Sequence, residues 1–459
     1  MAIPTTLTWE VNASGSASNG GGFDSALSGT DRSQSAAGYV EIEQSAVVGS
    51  IQATTTNFKF TLGYTVSAAD IGNVVYFASS GAGGLGTVGH YVITNISGTD
   101  TWILDRSCGT SGGVPTGIMG GCKAAPADLI QSTTPVVAGN RIWCKGSQTI
   151  TASTITAPAI AGVHVQGYTT TRGDNSRPTW TLSGSSLTMI QQASLSAVSW
   201  VYECFTFDGN TQTSSRGFNG SNGTVTFANC EFKRFTNNAV TTTIQNRFAN
   251  CEFTSCTTQT VFNGNTGGTV LDGCRFGGNS ISCFTLGNLG RAVISHCLFH
   301  DGSGATSDYV SISNVAAYVD CINCTMDTAG RHAINYQGNA AMATVLNCLI
   351  TNCGGYGIST TATNPPMFVR NCAFYSNSSG ETTGLDSGHV AGSISLSGDP
   401  YSNRSSDDYR LNNTSGAGAA CKGAGYPANL NAFATSRNIG AFGTAAAASA
   451  ATVGYASVL

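Results

Sequence analysis

Charge is scarce in this chain of 459 residues: Asp, Glu, Lys and Arg together make up 10%, against about a quarter in an ordinary soluble domain. So few Lys and Glu argue against a helical protein. The 20 Lys and Arg against 24 Asp and Glu leave a formal charge of -4, and no basic run occurs anywhere. That removes the electrostatic footprint of a nucleic-acid binder or of a protein held on an anionic membrane. No segment approaches the roughly 18 consecutive apolar residues of a membrane span. The start, Met1-Ala-Ile-Pro-Thr-Thr-Leu-Thr-Trp9, lacks the basic stretch and apolar core of a secretory signal, so synthesis in the cytosol is expected.

Zinc spacing is missing too. Cys321 and Cys324 form a lone CxxC-like pair, and Cys251/Cys256 and Cys348/Cys353 have no matching His. No metal and no cofactor is expected. What the chain has in quantity is Gly, 58 of them, with many Ser, Thr and Asn, and 16 Cys. In a secreted protein an even cysteine count suggests disulfides; a cytosolic origin and the spacing below favour free thiols.

Between Phe227 and Phe374 one pattern recurs: apolar, any residue, Asn or a substitute, Cys, any residue, large apolar. It reads Phe227-Ala-Asn-Cys230-Glu-Phe232, Phe248-Ala-Asn-Cys251-Glu-Phe253, Leu271-Asp-Gly-Cys274-Arg-Phe276 and Ile294-Ser-His-Cys297-Leu-Phe299. It continues as Cys321-Ile-Asn-Cys324-Thr-Met326, Val345-Leu-Asn-Cys348-Leu-Ile350 and Val369-Arg-Asn-Cys372-Ala-Phe374. The cysteines fall 21, 23, 23, 27, 24 and 24 residues apart, one structural unit per repeat. Alternation inside the motif places Cys and the residues two before and two after it on one interior strand face. A unit this short cannot bury its own apolar face, but coils stacked about 4.8 Å apart bury it against one another. Asp208-Gly-Asn210, Gly277-Gly-Asn279 and Gly354-Gly355 supply corners. Propeller blades run to 40 residues or more, and a leucine-rich repeat needs a Leu ladder and a helical return. The fold class expected is all-β: a right-handed single-stranded parallel β-helix whose ladder is Cys230, Cys251, Cys274, Cys297, Cys324, Cys348 and Cys372.

Two further segments carry a resemblance. Asp128-Leu-Ile-Gln131 followed by Ala138-Gly-Asn-Arg-Ile-Trp-Cys-Lys-Gly146 resembles the opening coil of pectate-lyase-like right-handed β-helix proteins. Asp399-Pro400, Asp408-Tyr-Arg-Leu411 and Asn438-Ile-Gly-Ala-Phe442 resemble the closing segment of the same superfamily. The resemblance covers about two thirds of the chain and implies the fold; the superfamily includes polysaccharide lyases, pectin esterases, bacteriophage tailspikes and noncatalytic adhesins.

Ahead of the coils, Gly15 to Phe23 looks like the leader preceding β-helices in many phage-like and environmental bacterial proteins, its glycines read as a structural turn. Asn57–Leu62, Val74–Phe77, Tyr91–Ile96 and Thr101–Leu104 read as strands of a small antiparallel domain projecting from or capping the N-terminal end of the solenoid. The expected divisions are a leader or attachment segment at 1–38, a small β-domain at 39–123, the β-helix at 124–400, and a closing segment and tail at 401–459. The uncharged tail from Gly443 to Leu459 suits either a helix or packing on a neighbouring subunit.

Polysaccharide chemistry on such a scaffold needs grouped carboxylates. Those of the coils (Asp208, Glu231, Glu252, Asp272, Asp301, Asp308, Asp320 and Asp327) are scattered, but Glu231 and Glu252 share a repeat position and stand as the catalytic candidates, stacked on the outer face about 5 Å apart. Solvated surface positions are the simpler reading of both. Asp407-Asp408 lies in the closing segment without a Gly-His-Gly or Arg-x-Lys partner and reads as structural. His296, His300 and His332 read as wall residues, and Arg172-Gly173-Asp174 as a turn. The function expected is a structural virion protein of a tailed bacteriophage, a fibre, spike or capsid-decorating protein used for attachment to host surface or glycan. A homotrimer is expected, with other virion proteins as partners and no nucleic acid or membrane insertion. The alternatives are a tailspike-type polysaccharide depolymerase or lyase, and a bacterial surface adhesin.

Overall fold

The computed structural model describes residues 6–42, 47–81, 84–130, 135–151, 155–192, 199–220, 223–242, 245–258, 260–263, 268–279, 282–286, 290–302, 304–312, 317–337, 342–362, 366–425 and 439–440. The chain forms two compact units, Met1–Glu252 and Phe253–Leu459. Both are built from coils of three short strands, one in each of three parallel sheets, and the fold is a right-handed parallel β-helix with a small antiparallel sheet.

In the first unit a coil runs Ser199–Glu203, Thr206–Asp208, Arg216–Gly220, and the next Thr224–Ala228, Glu231–Lys233, Val240–Thr242. Their register pairs Tyr202 with Phe227, Phe207 with Phe232 and Phe218 with Val240, so like side chains stack. In the second unit the Phe253, Phe276 and Phe299 rings follow one another at 4.6 Å, tilted by 9° and 8°.

The structure corrects one detail of the repeat. Alternation through the motif implied a single strand, but the residue before each cysteine is left-handed: Asn229 (φ 53), Asn250 (53), Gly273 (65), His296 (54), Asn323 (53), Asn347 (55) and Asn371 (51). One such residue swings the chain from the first sheet to the second, which is why Phe227 and Phe232 lie in different sheets and still pack at 5.1 Å. Asn and Gly predominate because the left-handed region costs them least. All 16 cysteines are buried and unbridged. The thiol of Cys251 faces the carbonyls of Ala249 and, one coil back, Phe227 (3.5 and 3.4 Å); Cys324 meets Ile322 and Ile294 the same way (3.4 and 3.4 Å). Burial raises the pKa of the Cys324 and Cys348 thiols well above the ordinary range.

The 1–38 segment is more than a leader. Leu7–Asn12 pairs in parallel with Arg141–Lys145 in the first sheet, because Trp9 and Val11 supply inward apolar side chains in register with Ile142 and Cys144. Trp9 Nε1 donates to Asn140 Oδ1 at 3.1 Å. The glycines serve close approach: a Cβ on Gly20 would lie 1.9 Å from the Val74 carbonyl oxygen. The expected antiparallel strands form a seven-stranded sheet around Phe58, Phe60, Phe77 and Trp102. In the second unit Tyr401–Asn403 and Asp408–Leu411 form a hairpin. Tyr401, Tyr409 and Leu411 pack on Leu298, Leu349 and Ala373 of the second sheet, so the closing segment covers that sheet's outer face. Residue 438, Ala441, Phe442 and the 443–459 tail lie outside the described residues.

Candidate functional site

Glu231 and Glu252 open second-sheet strands of the first unit. Thr206 Oγ1 donates to Glu231 Oε2 at 2.9 Å, with Lys233 Nζ 3.6 Å away; Glu252 sits 3.9 Å from Arg177. Each carboxylate thus answers its own cation on an open wall.

Arg172 ties its turn to the N-terminal segment, and Asp174 closes the turn itself. Arg172 bonds Glu10 at 2.7 Å, Asp31 at 2.8 Å and Ser33 Oγ at 3.0 Å, while the Asp174 carboxylate accepts the Thr170 and Ser176 backbone N–H groups at 2.7 and 2.9 Å. Glu10 also accepts from the Tyr168 hydroxyl. Burial outweighs Arg172 and pushes the Glu10 carboxyl up to about 7. His332 accepts the Tyr356 N–H at 3.0 Å, and burial holds it below the ordinary range. His296 lies 3.2 Å from Asp272, whose carboxylate raises its pKa.

In the second unit the fold gathers residues that appear unrelated in sequence. His300 ends one second-sheet strand, Arg275 begins another, Asp301 is the left-handed corner after His300 (φ 53), and Asp407 is the left-handed residue of the closing hairpin (φ 57). Arg275 Nε donates to His300 Nε2 at 3.0 Å, His300 Nδ1 faces Asp301 at 2.8 Å, and Arg275 meets Asp407 at 3.1 Å. Behind them Asp327, fully buried, accepts from Thr351 at 2.6 Å and Asn352 at 2.7 Å and faces Arg404 at 3.5 Å. Burial works against the charge of Arg404, but Asp327 and Asp399 outweigh it and raise its pKa.

His300, Asp301 and Asp407 bring potential ligand atoms within 4.8 Å of one another. The hydrogen bonds do not suit a cation there. Arg275 donates to Nε2, so the histidine proton sits on Nδ1; a metal on Nδ1 would force the proton onto Nε2, against the arginine N–H. The arrangement is an Arg–His–Asp relay fastening the closing hairpin to the wall. Sequence spacing missed it because Asp407 returns from a segment more than a hundred residues on.

The other feature is on the first sheet of the same unit. Register stacks Arg291, Tyr318 and Met342 in one outward column, and Val293, Asp320, Thr344 and Phe368 in the next. Tyr318, Met342 and Phe368 are 51%, 45% and 42% exposed. Arg291, Tyr318, Val319, Asp320 and Met342 line a shallow groove of about 400 Å³, and Arg291 lies 4.0 Å from Asp320. A usable signal was present: the position six before the ladder cysteine reads Arg291, Tyr318 and Met342 in three successive repeats.

Fold and surface together define a right-handed parallel β-helix protein. The profile of the family described as right handed beta helix region matches residues 196–374. No curated protein matches the chain. Among solved structures, ORF18 of Geobacillus virus E2 is similar at 15% identity over 56% of this chain, with a TM-score of 0.36; the chain spans about half of that protein's length (52%). The A-module of the Azotobacter vinelandii mannuronan C-5 epimerase AlgE6 is similar at 11% identity, covering 56% of this chain and 91% of its own, with a TM-score of 0.25. The tailspike protein gp49 from Pseudomonas phage LKA1 is similar at 14% identity, covering 84% and 71%, with a TM-score of 0.22.

Proposed function

We propose that the protein is a noncatalytic structural component of a tailed-bacteriophage virion, a fibre, spike or capsid-decorating protein whose β-helix attaches to glycan on the host surface. The observation that carries the attachment reading is the exposed Tyr318, Met342 and Phe368 on neighbouring strands of one outward face. A shaft with no ligand gains nothing from grouping large apolar side chains in water, and such grouping marks interaction surfaces. The charge-poor composition and the phage-like leader support the virion setting, and a homotrimer is the assembly proposed with it. Immunogold electron microscopy of purified particles tests the location: label on virions supports it, and protein found only in particle-free medium overturns it.

A polysaccharide-cleaving role is the second reading, favoured by the nearness of Asp301 and Asp407 beside His300. Incubating the pure protein with capsular and lipopolysaccharide extracts separates the two. New reducing or unsaturated ends, lost in Asp407→Asn, would replace the noncatalytic reading.

A further inference from the structure

We infer that the joint between the seven-stranded sheet and the first strand of the solenoid is an acid-operated latch, in which a proton on His90 releases the sheet and uncovers Trp9.

Alternation builds the joint from both sides. In the sheet, Val75 and Phe77 enter its own core, so Val74 and Tyr76 of the same strand point the other way. Register sets His90 beside Tyr76 on the neighbouring strand, and the two rings stack at 4.4 Å. From the solenoid, Trp9 meets the His90 ring edge-on at 5.5 Å. Gly22 leaves the room in which Trp9 and Val74 meet, since a Cβ there would lie 3.0 Å from each. Lys123, bridged in parallel to Val11, lays its ammonium 4.5 Å from the Tyr76 ring and donates to the Ala17 carbonyl at 2.8 Å.

The charges around the joint favour a neutral imidazole. Lys123 is one cation, and Arg106 is a second, donating to the His90 carbonyl and to Asp105 at 2.5 Å. The Asp105 carboxylate is already engaged, because it also accepts the Val92 N–H at 3.0 Å. Asp128 acts on Lys123, and Glu10, next to Trp9 on its strand, points to the opposite face, where it meets Tyr168 and Arg172. Among the described residues His90 Nε2 is buried with no hydrogen-bond partner. A proton there adds a third cation with nothing to accept it, and an uncompensated buried charge is strongly unfavourable. Burial first, then Lys123 and Arg106, hold His90 well below its ordinary 6.5.

The direction of the response follows. In the released state the imidazole titrates at its ordinary value, so the latch is fully closed above about pH 6.5. Below that, its closing equilibrium falls by up to about tenfold for each pH unit.

Hydrogen–deuterium exchange of the full-length protein between about pH 8 and about pH 5, corrected for intrinsic exchange, reads the latch peptide by peptide. Protection of Leu7–Asn12 and Gly89–Ser97 should fall by up to about tenfold per pH unit below about 6.5, while Tyr318–Ile322 and Met342–Leu346 of the second unit keep theirs. His90→Gln, which takes up no proton, should abolish the acid loss at the joint. Glu10→Gln should preserve it, because Glu10 is already protonated in acid. Lys123→Met removes a neighbouring cation and should move the opening to lower pH; where His90→Gln does not fold, this variant decides. Equal acid loss in wild type and His90→Gln overturns the inference. So do acid loss spread evenly over both units, its disappearance in Glu10→Gln, and an opening pH that Lys123→Met leaves in place.

Discussion

Removing Phe276 tests whether stacking across coils holds the second unit together. The ring is fully buried between Phe253 and Phe299, 4.6 Å from each and nearly parallel to both. Truncating a core Phe to Ala costs about 3–5 kcal/mol through lost transfer energy and the cavity left behind. Two ring contacts, each worth roughly 0.5–1.5 kcal/mol beyond area burial, place this site near the upper end, about 4–5 kcal/mol. The neighbouring coils cannot collapse into the gap without breaking the register of their backbone hydrogen bonds. Guanidinium unfolding of Phe276→Ala beside wild type reads the loss as a lower midpoint, and Ellman's reagent reads it as faster unmasking of the buried thiols. Phe276→Leu should recover more than half. A loss below about 1.5 kcal/mol for the alanine variant would refute the close-packed column.

Three further changes follow from the same structure. Asn250 turns the corner with φ 53, so Asn250→Ala should destabilise by about 1–2 kcal/mol and Asn250→Gly by less; equal losses would show that the left-handed backbone is not the reason for Asn there. Arg404→Ala strips a half-exposed cation from buried Asp327 and, after allowance for solvent screening, should cost about 1–2 kcal/mol; limited proteolysis should then cut the closing hairpin first, and an unchanged cleavage pattern would contradict its role as a fastener. Glu10 has a folded pKa of about 7, above the ordinary 4.5, so its contribution is full below pH 4.5 and is lost as pH rises through 7. Melting temperatures of wild type minus Glu10→Gln should therefore fall across that window, and a difference that rises instead would reverse the assignment.

The repeat made the coil legible before any coordinates, because a period near two dozen admits few architectures and identical side chains must stack when each coil is too short to bury itself. The strands at 57–62, 74–77 and 101–104 were readable from their alternation, and Asp408–Leu411 was marked by its resemblance to the closing segment of the superfamily. Where the sequence misled was at the Asn-Cys step. A continuous strand through the cysteine would bury the residue two before it, but Asp272, Ser295 and Arg370 at that place are not buried and Leu271, Ile294 and Val369, three before, are, because one left-handed residue shifts the alternation by one. His300, Asp301 and Asp407 were dismissed one at a time, as each has an ordinary local explanation.

What the sequence by itself determined is therefore the coil, whose period is set by residues within one repeat of each other. What only the tertiary structure decided is everything that returns from a distance. Leu7–Asn12 joins Arg141–Lys145 across the whole antiparallel sheet, and the closing hairpin lies on the outer face of the second sheet, leaving the outer face bearing Tyr318 to carry the exposed row. Inward residues are constrained by packing in every coil. An outward residue acquires its meaning from what else reaches the same face, and that is a property of the folded chain.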